Sequence, residues 1–445
     1  MIGRLEVAPE LRPNPNLTVR EQRRSLPQTP VIERPMRVAF WGGVFPPSYE
    51  TFIFNQVRGL VERGCDMGII AQKRGKPGNI LTAEELRYFA DRIWYRPQLP
   101  LGRTRRLWGA LKLVAKYGFY SPRKVGTAIG RFSKTPQLGT VGCLYALIPF
   151  LQAGRFDIIH CQYGPLGTIA TELRRRGLIE GKIVTTFRGY DLSTVIQTNP
   201  DCYQTLFQHG DLMMPNNVDF QKRLVELGCP AEKVVVQREG INCAQFKFQP
   251  RQLRPGQKPR FLTASRLTEK KGIVYVLESL SQVARRVGPV EYRIVGDGPL
   301  RDELMARAQE MPPEVDVCFV GWKGPEEVAI EMAEAHVLIQ ASVKASSGNE
   351  EGIPNVLKEA MACGMPVIGT YHAGIPELIQ DRVSGYLVPE RDVDALADCI
   401  SSLIESAGSW HDMGIAGREK IEAEYDMDKL NDQLCHQYAN LLDPK

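Results

Sequence analysis

The sequence predicts an α/β protein of two doubly wound domains whose parallel sheets face a common cleft. Short apolar runs of strand length alternate with longer amphipathic stretches, the pattern of parallel strands joined by crossover helices. That alternation is broken by one polar, basic, proline-bearing run, Gln249–Pro259, which reads as a linker. The chain of 445 residues also exceeds what one core ordinarily supports, so two large domains fit best. Hydrophobic content of 43% and charged content of 24% are ordinary for a globular chain.

In chain order, residues 1–35 carry Pro9, Pro13, Pro15, Pro27, Pro30 and Pro35 among charged residues and read as a flexible arm without a signal peptide. Residues 36–248 form the first domain, with strands expected at Arg37–Trp41, Phe156–His160, Lys182–Phe187, Asp211–Met214 and Lys233–Val236. After the linker 249–259, residues 260–425 form the second, with strands at Arg260–Ala264, Tyr292–Val295, Val315–Val320, Val337–Gln340 and Val367–Gly369. Helical patterns span Ile273–Val287, Asp392–Glu405 and a final stretch within 426–445. Ligands of doubly wound sheets bind beyond the carboxyl ends of the strands, which makes the cleft the expected site.

The loops after the strands supply the candidate chemistry. Gly42 and Gly43 follow the first strand, where glycine permits positive φ and close approach to a phosphate. Tyr49, Glu50 and Thr51 open the next helix, as packing residues or as ligand contacts. His160 at a strand end reads as structural. In Ser265-Arg-Leu-Thr-Glu-Lys-Lys-Gly272, Arg266 and Lys271 place two cations directly after a strand, as a basic surface turn or as a place for a bound anion. Gly296–Pro299 is a tight turn that lacks dinucleotide-fingerprint spacing. Phe319–Trp322 reads as core or as the wall of a base pocket. Asp392 and Asp394 lie at a helix start, where acids favour the dipole, so they do not read as a metal site.

Charge is uneven although the net is only +5. No Asp or Glu occurs between Arg92 and Arg155, while Arg103, Arg105, Arg106, Lys112, Lys116, Arg123, Lys124, Arg131 and Lys134 do, interleaved with Trp108, Leu111, Leu113, Val114, Tyr117 and Phe119. Such a stretch suits a helix on an anionic membrane surface, or equally a solvated basic helix pair with its apolar residues in the core. No recognition module accompanies the bases, so nucleic acid is not expected as a partner. The ten cysteines show neither metal nor disulfide spacing and read as reduced thiols of a cytoplasmic protein. No apolar run approaches membrane-spanning length.

The most informative segment is Glu351-Gly-Ile-Pro-Asn-Val-Leu-Lys-Glu359. Pro354 suits the start of a helix, having no N–H to leave unpaired. The amides of Asn355, Val356 and Leu357 are then free donors at a positive helix end, ready for a phosphate. One glutamate precedes that end and the other lies slightly more than a turn inside it. Carboxylates accept hydrogen bonds from sugar hydroxyls, so phosphate and sugar together point to a sugar nucleotide.

Continuing through Pro366-Val-Ile-Gly-Thr-Tyr-His-Ala-Gly-Ile-Pro-Glu377, this segment resembles the donor site of the retaining GT-B glycosyltransferases of family four. The likeness covers most of residues 36–430. Phe45–Ile53 and Glu350–Pro354 look most like bacterial exopolysaccharide enzymes of the colanic acid type. The resemblance implies a GT-B fold of two Rossmann-like domains, the first on the acceptor side and the second for the donor, with the C-terminal helix crossing back. It implies a nucleotide diphosphate sugar as donor, a saccharide or lipid-linked acceptor, and no cofactor or metal. Arg266 and Lys271 would hold the diphosphate, Glu359 the ribose and Glu351 the sugar hydroxyls. Gly352, Ile353, Asn355, Val356 and, from across the cleft, Gly43 would complete the donor site, while Glu50, Arg188 and Asp191 would touch acceptor or sugar.

One departure stands out. Many relatives carry His-Gly-x-Asp where this chain has Arg188-Gly-Tyr-Asp191, and arginine cannot act as a base. A nucleotide-sugar-binding protein without turnover therefore stays open, as do a phosphorylase and a sugar-nucleotide epimerase of the same plan.

Overall fold

The computed structural model of the chain describes residues 35–46, 51–75, 87–130 and 139–443. The expected arm up to residue 34, Tyr49, Glu50, Arg131 and Lys134 lie outside the described residues.

The first sheet contains β1 (Arg37–Phe45), β2 (Asp66–Arg74), β3 (Ile93–Tyr95), β4 (Ile158–Cys161), β5 (Lys182–Phe187) and β6 (Leu212–Pro215), all parallel, in the order β3-β2-β1-β4-β5-β6. The second contains β7 (Arg260–Ala264), β8 (Val290–Val295), β9 (Val315–Gly321), β10 (Val337–Gln340), β11 (Val367–Thr370) and β12 (Tyr386–Val388), in the order β12-β11-β10-β7-β8-β9. Counted from its own first strand, each sheet has the same doubly wound order. The winding reverses between β1 and β4 and again between β7 and β10, and ligand crevices open at such points.

Helices α1 (Thr51–Glu62), α2 (Arg103–Tyr117), α3 (Pro122–Gly130), α4 (Gly139–Ala153), α5 (Gly164–Arg175) and α6 (Val218–Glu226) belong to the first lobe. The second carries α7 (Ile273–Val287), α8 (Arg301–Gln309), α9 (Pro325–Glu334), α10 (Asn355–Ala362), α11 (Val393–Glu405) and α12 (Trp410–Glu424), and the chain closes with α13 (Met427–Leu442). Covering both sheet faces explains why central strands are continuously apolar, as at the buried Val38–Trp41 and Val337–Ile339. On α7 the residues Ile273, Val276, Leu277, Leu280, Val283 and Ala284 recur at helical spacing and are all buried. Each large member of that stripe contributes roughly 1.5–3 kcal/mol of apolar burial. Gly288, with φ +92°, ends the helix.

Several local expectations need correction. Residues 42–45 extend β1 beside Ala71–Arg74 of β2, so Gly42 and Gly43 are strand residues and form no positive-φ turn. Lys233–Val236 lies along β6, with Val235 N–H donating to Met213, but makes a single bridge there and is not a ladder strand. β2, β3 and β12 add strands that the apolar-run pattern did not mark.

α13 packs on the first lobe. Arg63 pairs with Asp432 at 2.7 Å, and Gln237 donates to the Leu430 carbonyl at 3.1 Å. His160 is fully buried, with Nδ1 2.6 Å from the Tyr438 hydroxyl and Nε2 2.6 Å from Thr186 Oγ1. Burial, helped by the charge of Arg188, pushes its pKa down to about 3, the behaviour of a structural imidazole.

Candidate functional site

The loops leaving β7 and β10, the neighbours at the second reversal, build the site. After β7 the chain passes Ser265, Arg266 and a 3-10 turn at Glu269–Lys271 before Gly272 opens α7. Gly272 has φ +66°, and a Cβ there would lie 1.7 Å from the Ala341 carbonyl oxygen, so only glycine lets this turn press on the loop that leaves β10. The turn brings Lys271 Nζ within 2.5 Å of Glu351 Oε1 and Lys270 Nζ within 3.7 Å of the same oxygen. The Ser342 hydroxyl donates to Glu351 Oε2 at 3.0 Å. Burial pushes the Glu351 carboxyl up, but the two lysine charges and these hydrogen bonds reverse the effect and leave it below its ordinary value. Burial depresses Lys270, with Glu351 opposing and the charges of Lys271 and Arg266 adding to the depression. Arg266 is exposed, and its guanidinium makes no hydrogen bond or ion pair among the described residues.

Pro354 immediately precedes α10. Leu357 N–H donates to the Pro354 carbonyl at 3.2 Å, so two amides rather than three, those of Asn355 and Val356, are open at this helix end among the described residues. Asn355 Oδ1 at this helix end and Ser265 Oγ in the loop after β7 are buried atoms that also have no partner among the described residues. Glu359 is partly buried, and burial raises its carboxyl against the opposing charge of Lys358. No hydrogen bond or ion pair joins Glu359 to the Lys271–Glu351 cluster among the described residues. Lys358 is itself buried, donates to the Glu239 carbonyl at 2.7 Å, and is pushed down by that burial to about 8.

The sequence profile of the glycosyl transferases group 1 matches residues 245–420, which include this whole arrangement. The amylovoran biosynthesis glycosyltransferase AmsK of Erwinia amylovora is 34% identical over 402 residues, covering 88% of this chain and 96% of that protein. The chain belongs to the group 1 glycosyl transferases. WcaL of Escherichia coli K12, a protein named for colanic acid biosynthesis, is 33% identical to this glycosyl transferase over 90% of the chain and 98% of its own length. Among solved structures, Anabaena HepE in complex with UDP and glucose aligns with a TM-score of 0.65 at 17% identity, over 91% of this chain and all of that one. The sucrose-phosphate synthase of Thermosynechococcus elongatus aligns equally well, over 92% and 100%. At such identities the likeness shows the fold, which is GT-B.

The first lobe of this glycosyl transferase closes on the Glu350–Gly352 segment through close contacts. A Cβ at Gly189 would lie 2.3 Å from the Glu350 carbonyl, and one at Gly352 would lie 2.8 Å from the Asn216 amide. Glu377 accepts from Val218 N–H at 2.7 Å at the start of α6, and Glu350 pairs with Arg223 at 2.5 Å and Lys344 at 2.7 Å. Ile353 is buried.

Arg188, expected to touch acceptor or sugar, is buried in the first lobe. Its buried guanidinium pairs with Glu239, bonds Gln162, and lies 5.2 Å from the centre of the Tyr163 ring. Asp191 is also fully buried and accepts from Arg188 N–H at 2.9 Å. Burial raises its carboxyl to about 7 against that hydrogen bond and the Arg188 charge. Both are interior groups in this structure. Gly43 sits within β1 and borders a small pocket together with Gln162.

Sequence reasoning missed Lys270, Ser342, His372 and Glu390. Glu351 N–H donates to His372 Nε2 at 3.2 Å, while His372 Nδ1 lies 2.6 Å from Glu390 Oε1. This chain of contacts orients the loop that carries Glu351. Only the position of His372 inside the informative segment could have flagged it. Among the described residues no cluster of His, Cys, Asp and Glu could hold a metal, and no helix is long and apolar enough to cross a membrane.

Proposed function

We propose that this glycosyl transferase moves a sugar, with retention of configuration, from a nucleotide diphosphate sugar to a saccharide or lipid-linked acceptor in exopolysaccharide synthesis. The observation that carries the reading is the Lys271–Glu351 pair at the second reversal, beside an unpaired Arg266 and the open amides of α10. Lysine has three donor protons, so Lys271 can hold Glu351 and still donate to a phosphate. As the bond to the sugar breaks, negative charge gathers on the diphosphate, and Arg266, Lys270 and Lys271 stabilise it without a metal ion. Ser265, Gly352, Ile353, Asn355 and Val356 line the cradle. Glu351 accepts from the sugar hydroxyls, and Glu359, whose carboxylate has no hydrogen-bond partner among the described residues, accepts from the ribose.

Support for a nucleotide donor comes from HepE, whose structure holds UDP and glucose. The exopolysaccharide reading draws on relatives named for amylovoran and colanic acid biosynthesis. The ten cysteines are free thiols, consistent with the reducing cytoplasm where we place the reaction.

The test is a panel of nucleotide sugars incubated with and without lipid-linked saccharides, with nucleoside diphosphate release measured and product anomers assigned by NMR. Acceptor-dependent release with a retained anomer is expected. Donor conversion without acceptor would indicate an epimerase, and a requirement for inorganic phosphate a phosphorylase. Donor binding without any release would establish a binding protein and overturn the proposal.

A further inference from the structure

The acid-free stretch between Arg92 and Arg155 resolves into two faces on α2. Ala110, Leu113, Val114 and Tyr117, at helical spacing, turn inward and pack on the first-lobe core. Leu107, Trp108 and Leu111 occupy a different arc of the same helix and face outward, with exposures of 58%, 68% and 51%. Arg105, Lys112 and Lys116 form an exposed basic stripe alongside them. Phe119, just beyond the helix, is 87% exposed.

A helix that already satisfies the core with one face has no folding reason to display tryptophan and leucines on another. The geometry points to this outer face as a docking surface for an anionic lipid bilayer, with Trp108, Leu107 and Leu111 entering the headgroup boundary and the basic stripe meeting lipid phosphates. Charge complementarity selects that occupant. A second copy paired face to face would set the basic stripe against itself, since a two-fold interface matches the same patch on both subunits. A bilayer offers negative charge and apolar depth side by side, as this face requires. The inference does not depend on which sugar is moved, because α2 carries none of the residues assigned to the donor.

Sedimentation of the full chain with vesicles tests it. Binding is expected to vesicles containing phosphatidylglycerol and to weaken on raising the salt, with little binding to pure phosphatidylcholine. The double variant Lys112→Glu/Lys116→Glu should lower the partition coefficient by at least about tenfold. Trp108→Glu/Leu111→Glu should do the same, with circular dichroism and donor affinity unchanged in both. The proposal is overturned if the parent chain ignores anionic vesicles or if both variants partition like the parent. It is equally overturned if the parent is a dimer in solution that either variant dissociates.

Discussion

Replacing Glu351 by glutamine separates the two halves of the proposed donor site. The amide is nearly isosteric and keeps the Ser342 contact at 3.0 Å, but it removes the negative charge that faces Lys271 at 2.5 Å and Lys270 at 3.7 Å. On the sugar side, a hydrogen bond to a charged group contributes about 1.5–3 kcal/mol. Losing one should slow transfer by about 10- to 150-fold. On the phosphate side the sign is opposite, because the two lysines no longer share their charge with a carboxylate. Affinity for the free nucleoside diphosphate should hold or rise. Leaving these half-buried lysines unpaired should cost about 1–3 kcal/mol of stability. Because the folded pKa of Glu351 lies below its ordinary value, the pair stabilises the fold above that value. This contribution is lost as acid carries the group through its folded pKa, a loss that the variant lacks. Calorimetric titration with nucleoside diphosphate, set beside kcat/KM for transfer, reads both arms. Transfer at the parental rate, or a loss of diphosphate affinity parallel to the loss of rate, would refute the division of labour.

Arg266→Ala removes an exposed cation without a described partner, so stability should change by under about 0.5 kcal/mol while kcat falls about 10²- to 10³-fold; an unchanged kcat would remove Arg266 from the site. Arg188→Ala leaves the partly buried Glu239 without its cation, and urea denaturation should show a loss of up to about 3 kcal/mol. A loss of activity at full stability would instead return Arg188 to the substrate. Asp191 has a folded pKa of about 7 against an ordinary 3.8, so its burial costs stability as pH rises through that interval, up to about 4 kcal/mol in all. Asp191→Asn should flatten the stability profile between those values, and identical profiles would count against the buried acid.

Much of the fold was legible because local pattern and tertiary role agree. Lys182–Phe187, Arg260–Ala264 and Val337–Gln340 are largely buried runs in strands flanked on both sides within their sheets, and α7 carries its buried stripe between two positive-φ glycines. β2 was obscured partly by Gly68, whose missing side chain answers to a distant packing need. A Cβ there would lie 2.8 Å from the Trp94 ring and 3.0 Å from Phe156. β3 is three residues at a sheet edge, too short for any periodicity to show.

At the site, the Glu351–Glu359 segment announced itself through the chemistry of one helix start. The partner of Glu351 was not readable as a contact, since Lys271 lies 80 residues earlier. The partner of Arg188 was hidden for the same reason. A cation after a strand looks available for ligand until Glu239, 51 residues further on, is seen to claim it.

The tie between His160 and Tyr438 spans 278 residues, and that between Arg63 and Asp432 spans 369. A ribosome making this chain finishes every strand of the first lobe long before it supplies the helix that completes that lobe's packing. Until then, the imidazole lacks its Tyr438 partner and the guanidinium its Asp432 carboxylate, and the lobe born first is the last to mature. A stop codon only slightly early would therefore injure the opposite end of the gene product.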